Sequence, residues 1–559
     1  MSWKLREKVK KLLDEEKGTS HKAFGGKVSV ALVYPNTYYV GMSNLGFQAI
    51  YHYLNLHPHI LCERGFLPDP EDLSEYERTR TPLCSWESGR PLSSFDMVAF
   101  SVSYENDFLN ILKILDLARI PLLSEQRGPG YPLVVMGGIC AFSNPEPMAD
   151  FFDLFFLGEG EEAFPEVVEL FSALGGEGRG REAFLREAAT AGGVYIPRFY
   201  RVSYGREGII EGVEAITPAP PRVKRHYVAQ LDRCPVLSFL RTPHTEFGDM
   251  LLLEINRGCK GGCRFCLAGG IYRPFRFRTR EALLQSLEGI TLPERVGLVG
   301  ACITDHPQIE ELCQDLLERG FAVSAPSLRA GAIPEGLLRY LAQSGQKTIT
   351  LAPEAASERL RHVLGKGIGE EDFLHTVEQI LAQKIPNIKL YFMVGLPSEQ
   401  EEEVLAIAAM AKKVKHLMLS AAKSSARLGQ VTLSLNAFVP KPWTPFQWLG
   451  FEEVGRLQQK VGAIKRALKG TSNIICFHDL PQWGYIQALL ARGDRQLGGL
   501  LLLAHRFGGR WKKAFQEWSL NPDFYVYRRR QPEEVFPWDH LEDGVSKGHL
   551  LEEFRRAGL

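Results

Sequence analysis

Three of the ten cysteines in this 559-residue chain fall within eight residues, at Cys259, Cys263 and Cys266. They lie in a glycine-rich segment directly after a short apolar run at residues 250–255. Three thiolates this close can surround a metal centre, but a structural zinc needs a fourth Cys or His ligand, usually at short spacing. The next such residues, Cys302 and His306, belong to a later strand–helix unit. The pattern therefore favours a 4Fe-4S cluster with one exchangeable iron over a closed zinc site.

The composition is that of an ordinary globular protein, with 45% apolar and 24% charged residues. Lys+Arg and Asp+Glu each number 66, so the formal net charge is zero and only a local basic patch could attract nucleic acid. The apolar runs are shorter than the roughly 20 residues of a membrane helix, and the charged N-terminus lacks the apolar core of a signal peptide. Ten cysteines are too few for a disulfide scaffold. We therefore expect a cytoplasmic protein of about two to four domains without a membrane span.

Apolar runs alternate with helical patterns between residues 28 and 174. The predicted strands are residues 28–34, 97–102, 133–136 and 154–157, and the predicted helices are residues 43–56, 108–118 and 164–174. This alternation predicts a doubly wound, Rossmann-like parallel sheet, which binds ligands at the carboxyl ends of its strands. The candidate ligand contacts at these ends are Asn36, Tyr38, Ser103, Gly137 and Gly138. The glycines either admit a bulky ligand or only form tight turns.

Six further strands alternate with helices over residues 246–450 and predict a partial (β/α)6 barrel. The predicted strands are residues 250–255, 296–299, 321–324, 348–351, 388–394 and 431–438. An N-terminal helix in residues 1–25 precedes the doubly wound domain of residues 26–175. A Gly/Arg- and Pro-rich connector over residues 176–245 leads to the barrel, and residues 451–559 are predicted to be mostly helical, without a further sheet repeat.

The Cys-x3-Cys-x-Phe-Cys segment, placed after the first strand of a βα repeat, resembles the radical S-adenosylmethionine (SAM) superfamily. The resemblance implies that Cys259, Cys263 and Cys266 hold a 4Fe-4S cluster whose unique iron is chelated by SAM. Reduction of the cluster would then cleave SAM to a 5′-deoxyadenosyl radical. A low-potential electron donor such as flavodoxin or ferredoxin is the implied partner.

The same resemblance implies further SAM contacts at the strand ends of the barrel. Gly300-Ala301-Cys302 replaces the family's Gly-Gly-Glu turn, so only backbone contacts of Gly300 and Ala301 carry over. The remaining candidates are Glu354 for the amino or ribose groups, Arg359 or Arg361 for the carboxylate, and Gly395 and Asn436 for the adenine. The arginines fit a solvated helix face as well as a carboxylate contact, and Asn436 fits a turn as well as the adenine edge.

The doubly wound domain ahead of the barrel resembles the cobalamin-binding branch of the superfamily. The resemblance includes segments 34–46, 137–147, 158–162 and 438–446. One departure is that the cobalt-ligating Asp-x-His-x-x-Gly motif is replaced by Asn36-Thr37-Tyr38-Tyr39-Val40-Gly41. Either cobalamin binds without an axial histidine, or the domain has become a structural or substrate platform. We expect binding, because the glycine turns remain.

This resemblance implies methylation of an unactivated carbon of an unknown substrate with methylcobalamin. The alternatives are another radical rearrangement or redox reaction, with or without cobalamin, and a methylthiotransferase-like modification of RNA or protein. A non-enzymatic RNA-associated role would use the basic run Arg528-Arg529-Arg530, which fits a solvated loop equally well. Tyr38 and His478 are candidate catalytic residues, although His478 also fits a structural histidine.

Overall fold

The computed structural model describes residues 2–174, 180–248, 250–290, 295–331, 333–422, 429–542 and 544–559. Residues 175–179, which include the Gly/Arg-rich start of the predicted connector, lie outside these ranges. Within them, no helix combines the length and apolar character that crossing a bilayer requires.

A six-stranded sheet forms the N-terminal domain. Its strands are β1 (Val28–Tyr34), β2 (Ile60–Phe66), β3 (Met97–Ser101), β4 (Leu133–Gly137), β5 (Leu154–Phe156) and β6 (Val194–Tyr195). Its helices are α1 (Trp3–Asp14), α2 (Tyr38–Met42), α3 (Leu45–Leu56), α4 (Pro70–Thr79), α5 (Phe108–Leu117), α6 (Ile139–Ser143), α7 (Ala163–Ala173) and α8 (Gly180–Ala188). The order is β2-β1-β3-β4-β5-β6, parallel except for β6, which confirms the predicted doubly wound fold.

Strand β2 was absent from the sequence prediction because charged residues interrupt its apolar pattern. Arg64 in this strand is fully buried and forms ion pairs with Glu16 and Glu87 at 2.7 and 2.6 Å. With β2 in place, the chain leaves the centre of the sheet in opposite directions from β1 and β3. The crevice at the carboxyl ends of such neighbouring strands is where doubly wound sheets bind ligands.

The connector contains the hairpin of β7 (Tyr200–Tyr204) and β8 (Ile210–Ala215), followed by β9 (Val223–Lys224). The barrel strands are β10 (Leu251–Glu254), β11 (Asn256–Arg257), β12 (Arg276–Phe277), β13 (Arg295–Val299), β14 (Ala322–Ser324), β15 (Thr348–Glu354), β16 (Asn387–Val394), β17 (Val431–Ala437) and β18 (Ile474–His478). The helices are α9 (Leu267–Ile271), α10 (Arg280–Ser286), α11 (Ile309–Glu318), α12 (Glu335–Gln343), α13 (Glu358–Val363), α14 (Glu370–Ala382), α15 (Glu401–Ala422) and α16 (Val454–Leu468).

The barrel consists of two parallel sheets, β10-β13-β14 and β15-β16-β17-β18, joined by a parallel bridge between Leu328 and Leu351. The six predicted strands and the partial barrel are confirmed. The prediction of no further sheet repeat after Gly450 is wrong, because β18 pairs with β17 as a seventh strand. Strand β18 is short and only half buried, so its apolar signal in the sequence was weak.

The C-terminal region contains α17 (Pro481–Arg492), α18 (Leu497–Arg506), α19 (Trp511–Glu517), α20 (Asp523–Val526), β19 (Leu541–Glu542) and α21 (Lys547–Arg556). Its basic run is only partly exposed. Arg529 is exposed, whereas Arg528 binds Glu534 at 2.6 Å and the buried Arg530 donates to the carbonyl of Arg492. Arg530 thereby links the segment after α20 to the end of α17.

Candidate active site

The cysteine loop between β11 and α9 places three half-buried thiols around a glycine turn. A Cβ atom at Gly261 would lie 3.3 Å from Cys259 Sγ and 3.9 Å from Cys263 Sγ, so the loop folds closely around this glycine. The Gly261 N–H donates to Cys259 Sγ at 3.3 Å. Cys266 is the N-cap residue of α9. Cys259, Cys263 and Cys266, the three predicted metal ligands, thus share one loop whose glycines leave room for a cluster.

Cys302 lies beside this loop, a contact that the sequence analysis missed. The Cys302 sulfur, the Cys259 sulfur and an Asp305 carboxylate oxygen all lie within 4.8 Å of one another. The signal was available in principle: Cys302 follows β13, which pairs in parallel with β10, and the exits of neighbouring parallel strands meet at one edge. Asp305 also accepts from the Lys260 N–H at 2.9 Å and pairs with Arg329, which ties this edge to the loop.

Glu354, the predicted contact for SAM amino or ribose groups, ends β15 next to the cysteine loop. Its φ of +65° is a conformation that non-glycine residues seldom adopt and that often marks functional sites. Its carboxylate binds Lys366 Nζ at 3.1 Å, and this ammonium group lies 5.9 Å from the Phe265 ring in the cysteine loop. Burial raises the pKa of Glu354, while Lys366 opposes the rise. Lys366 was not predicted, and together the two residues form a polar pair beside the predicted cluster site.

The predicted arginines bind protein groups. Arg359 is largely exposed and pairs with Glu403 at 2.6 Å and the Ser398 carbonyl at 2.7 Å. Arg361 is fully buried and donates to the carbonyls of Ala355 and Ala356 at 3.1 and 2.7 Å. Arg361 therefore braces the chain that leaves β15 from within the core, whereas Arg359 lies on an exposed helix face in an ion pair.

The adenine candidates follow β16 and end β17. The Gly395 N–H donates to Glu399 Oε2 at 2.9 Å, and a Cβ atom at Gly395 would lie 2.7 Å from Leu457 Cδ2. Asn436 is half exposed, and with its amide oriented to donate it reaches Asp479 Oδ2 at 3.1 Å. Its neighbour His478 is also half exposed, with Nε2 at 3.3 Å from Lys465 Nζ.

A cavity of about 500 Å³ lies between the strand ends of the N-terminal sheet and the start of the barrel. Its lining includes Ser103, Gly137 and Gly138 from the N-terminal domain and Gly300 and Ala301 from the barrel. The structure therefore brings together three of the predicted cobalamin contacts and two of the predicted SAM contacts. Gly258, which immediately precedes Cys259, lines the same cavity.

The two glycines at the end of β4 have different roles. A Cβ atom at Gly137 would have no neighbour within 4 Å, so this glycine leaves open space in the cavity. Gly138 has a φ of +92°, and a Cβ atom there would lie 2.5 Å from the Val102 carbonyl oxygen. Gly138 is required by the turn, whereas Gly137 keeps volume available for a ligand.

Buried ion pairs join the N-terminal domain to the barrel at the cavity wall. Arg257 binds Glu159, Glu161 and Glu254 at 3.1, 2.7 and 2.8 Å. Arg276 adds a second contact to Glu159, at 2.7 Å. Burial acts to raise the pKa of Glu159, but the charge of Arg257 and the hydrogen bonds of Arg276 lower it to about 2. Glu159 is therefore ionised, and the ion pairs fix the wall in position. The sequence pattern gave no sign of this network.

Two buried acceptor atoms in the cavity wall lack protein partners. Among the described residues, neither Glu161 Oε2 nor Asn256 Oδ1 receives a hydrogen bond. Glu161 and Asn256 line the cavity, but these two oxygens have almost no accessible surface and are not exposed to its volume. What the cavity offers a ligand is therefore the open volume at Gly137.

Asn36 and Tyr38 are not part of this lining. The Asn36 amide donates to Asp107 Oδ1 at 2.9 Å. The Tyr38 hydroxyl donates to Glu16 Oε1 at 2.6 Å, and its ring stacks on Trp86 with a centroid distance of 4.4 Å. Both side chains are bound within the N-terminal domain.

Comparison with known proteins agrees with this arrangement. The family model for the radical SAM superfamily matches residues 253–411, and the model for the N-terminal region of radical SAM proteins matches residues 46–197. An uncharacterized protein of Methanocaldococcus jannaschii is 31% identical over 483 residues, which cover 85% of this chain and 90% of that protein. The chain belongs to the radical SAM superfamily. Membership implies a 4Fe-4S cluster and SAM as cofactors.

Two further relatives bear on this radical SAM protein. The ribosomal protein uS12 methylthiotransferase RimO of Thermodesulfovibrio yellowstonii is 26% identical over 34% of this chain and 48% of its own length. The structure of the radical SAM methyltransferase TsrM from Kitasatospora setae, with cobalamin and a 4Fe-4S cluster bound, is 13% identical. It matches with a TM-score of 0.50 over 88% of this chain and 100% of its own. This likeness confirms the fold; neither family model names cobalamin, so cobalamin binding stays a prediction.

Proposed function

We propose that this chain is a cobalamin-dependent radical SAM methyltransferase that acts on an unactivated carbon atom. The observation that carries the proposal is the cavity shared by the N-terminal strand ends and the barrel. Gly137 and Ser103 line it from one side, and Gly300 and Ala301 line it from the other. A cofactor on the N-terminal sheet and SAM on the barrel would therefore face each other across one space.

The residues present fit the groups that the proposal requires. Cys259, Cys263 and Cys266 would hold the cluster, because three thiolates with one open position are the donor set of such a site. Glu354 would accept hydrogen bonds from the SAM amino or ribose groups, and Lys366 fixes the position of its carboxylate. When bound, the reduced cluster would supply the electron that cleaves SAM, and cobalamin would carry the methyl group.

Cobalamin would reach into the cavity without an axial histidine from the lining residues. Histidine is absent from the described residues that line it, and the open side of Gly137 leaves room for a flat ring system. The ion pairs of Arg257 keep Glu161 oriented and the wall rigid. TsrM, whose structure holds both cofactors, lends this arrangement support through its similar fold.

The test is anaerobic reconstitution with iron, sulfide and hydroxocobalamin, followed by desalting and metal analysis. The variant is Gly137→Phe, which fills the cavity, and its control is Gly130→Phe, at an exposed glycine that also has free space around its Cβ position. We expect the wild type and the control to retain about one cobalt and about four irons per chain. The Gly137 variant should lose the cobalt and keep the iron.

Electron paramagnetic resonance of the cob(II)alamin form adds a second measurement. A spectrum without nitrogen splitting from an axial histidine, together with transfer of a labelled methyl group from SAM to bound cobalamin, would support the proposal. About four irons without cobalt in the wild type would overturn it. The remaining candidate would then be a radical reaction that does not use cobalamin.

A further inference from the structure

A groove of about 550 Å³ lies between α17 and α19 and shares no lining residue with the cavity described above. Its wall includes four aromatic side chains: Trp483, Tyr485, Trp511 and Phe515. Trp483, in the first turn of α17, is 50% exposed. Single exposed apolar residues are common on protein surfaces, but several that share one concave wall mark an interaction site. We call this feature the aromatic groove.

Three exposed cations stand at the wall of the aromatic groove: Arg510, Lys512 and Lys513. Among the residues that the structure describes, no carboxylate lines the groove and none pairs with these cations. Two acidic residues flank the groove without lining it. Asp523 accepts from the Tyr485 hydroxyl at 2.7 Å, and Glu453 lies 3.8 Å from Arg456. The local charge is therefore positive in a chain whose net charge is zero, which favours an anionic ligand.

The aromatic groove adjoins the strand ends of both domains. Helix α17 begins three residues after β18 ends, so Trp483 stands at the carboxyl end of the barrel strands. The Trp483 carbonyl accepts from the Asn106 amide at 3.4 Å. Asn106 follows Ser103, which lines the cavity, by three positions, and three residues span at most about 11 Å. A long ligand held in the groove can therefore extend to the space in which SAM and cobalamin are proposed to meet.

An open tryptophan face beside unpaired cations suits a single-stranded nucleic acid. Its unpaired bases stack on aromatic side chains, while Lys and Arg neutralise the phosphates between them. A duplex offers only its phosphates, because its bases already stack on one another, and an acidic peptide offers few flat rings to match the tryptophans. Unpaired bases are characteristic of the loops, bulges and ends of RNA. The groove therefore favours RNA over these other anionic ligands.

We propose that the aromatic groove binds an unpaired segment of RNA. A base stacks on the Trp483 ring, and the three cations neutralise the neighbouring phosphates. This names RNA as the substrate class of the proposed methyl transfer, and in that respect the inference rests on the proposed function. RNA binding itself requires neither cobalamin nor SAM, so the two proposals can fail separately.

The first test measures stacking, with the cluster-loaded full chain and a fluorescein-labelled single-stranded RNA of about 12 nucleotides and mixed sequence. We expect Trp483→Ala to raise the dissociation constant, read by anisotropy, about tenfold, since it removes one stacked base. Trp483→Phe keeps an aromatic face and should recover much of the affinity. The matched control is Trp3→Ala, at a tryptophan that is 77% exposed on α1. It should bind as the wild type does, and an unchanged affinity in Trp483→Ala would overturn the proposal.

The second test measures the charge contribution through the salt dependence of the same binding. Three neutralised phosphates give a slope of about −2 in a plot of log affinity against log salt concentration. The variant Lys512→Gln/Lys513→Gln should bring this slope close to about −1. Its control, Lys10→Gln/Lys11→Gln, changes two exposed lysines of α1 and should keep the wild-type slope. A slope that is the same in the groove variant and the wild type would contradict the assigned phosphate contacts.

Two competitors distinguish RNA from other anions. A duplex of the same sequence should bind Trp483→Ala and the wild type equally, because stacked bases cannot reach the ring. An oligo-glutamate peptide should displace the labelled RNA far less effectively than unlabelled RNA does. Equal displacement by the peptide would assign the groove to an acidic protein segment and overturn the proposal. A wild type that retains cobalt without binding RNA would overturn this inference alone, and one that binds RNA without retaining cobalt would overturn only the proposed methyl transfer.

Discussion

The cysteine loop and the N-terminal cavity differ in what they offer a cofactor. In the loop, the side chains themselves are the predicted ligands, and the thiols of Cys259 and Cys263 lie within 4 Å of the Cβ position of Gly261. In the N-terminal domain, Asn36 and Tyr38, which occupy the region of the classical cobalt-ligating motif, are bound to other protein groups. What the cavity offers is open space at Gly137. Cluster binding should therefore be lost when one of the predicted ligands is removed. Cobalamin binding should be lost when the volume of the cavity is filled.

The largest effect is expected from Cys263→Ala. Removing one of three thiolates leaves a cluster without a ligand on one iron, so reconstitution should give almost no iron and no detectable 5′-deoxyadenosine from SAM. Iron and sulfide analysis with product chromatography measures both. The control is Cys476→Ala in β18, which should retain about four irons. A Cys263 variant that keeps its iron would contradict the prediction that this thiolate is a cluster ligand.

Next in size is the effect of Glu354→Gln on SAM affinity. The change removes the charge that a bound ammonium or ribose hydroxyl would meet, and hydrogen bonds to charged groups contribute about 1.5–3 kcal/mol, or roughly 10- to 150-fold in the dissociation constant. Equilibrium binding of SAM to the cluster-loaded protein measures it. The comparison variant is Arg359→Gln, whose side chain is already paired with Glu403. Equal losses in the two variants would show that Arg359 contacts SAM as the family resemblance implies.

A smaller effect is expected from Asp107→Asn, which tests whether the polar residues of the N-terminal strand ends serve the fold. Burial raises the pKa of Asp107 to about 6, although the amides of Asn36 and Asn110 act to lower it. The folded protein therefore holds this proton more tightly than the unfolded chain. The free energy of unfolding therefore decreases as the pH rises from about 4 to 6, and it stays at the lower value above pH 6.

The Asn variant has no such charge, and its amide oxygen can still accept from Asn36 and Asn110. It should exceed the wild type in stability by about 2 kcal/mol at pH 8, and the difference should vanish towards pH 4. Thermal melts across this range measure it, with Asp14→Asn on the exposed face of α1 as the control. A loss of cobalt in the Asp107 variant would instead place Asn36 in the cofactor site.

Periodicity in the sequence was enough to predict the doubly wound sheet and the partial barrel, since strands such as β1 and β16 carry regular apolar patterns. It failed where a charged or half-exposed strand was stabilised by tertiary contacts. Arg64 in β2 is satisfied by Glu16 and Glu87, which lie far away in the sequence, and β18 depends on β17 for its place. The sequence of such strands does not indicate their burial, because the contacts that bury them come from distant segments of the chain.

The same limit applies to the site. The predicted cysteine ligands are local in sequence, so a spacing pattern is enough to propose them, and the glycines at the ends of the strands are equally local. The ion pairs of Arg257 with Glu159 and Glu161 join two domains, and Lys366 reaches Glu354 across a loop. Contacts of this kind depend on how distant segments pack, which no spacing rule encodes. Cys302 is the plainest case, because it lies 43 residues after Cys259 in the chain and beside it in the structure.

The smallest effect is expected from Cys302→Ala, on the reduction potential of the cluster. If Cys259, Cys263 and Cys266 are the complete ligand set, Cys302→Ala should keep about four irons per chain. A thiol next to Cys259 would donate a weak hydrogen bond to the cluster-bound sulfur, and such bonds raise the reduction potential. Losing about 1 kcal/mol of this stabilisation corresponds to a decrease on the order of 40 mV for one electron. Potentiometric titration of the variant and the wild type measures it, and a clear loss of iron would make Cys302 a ligand in place of one of the three.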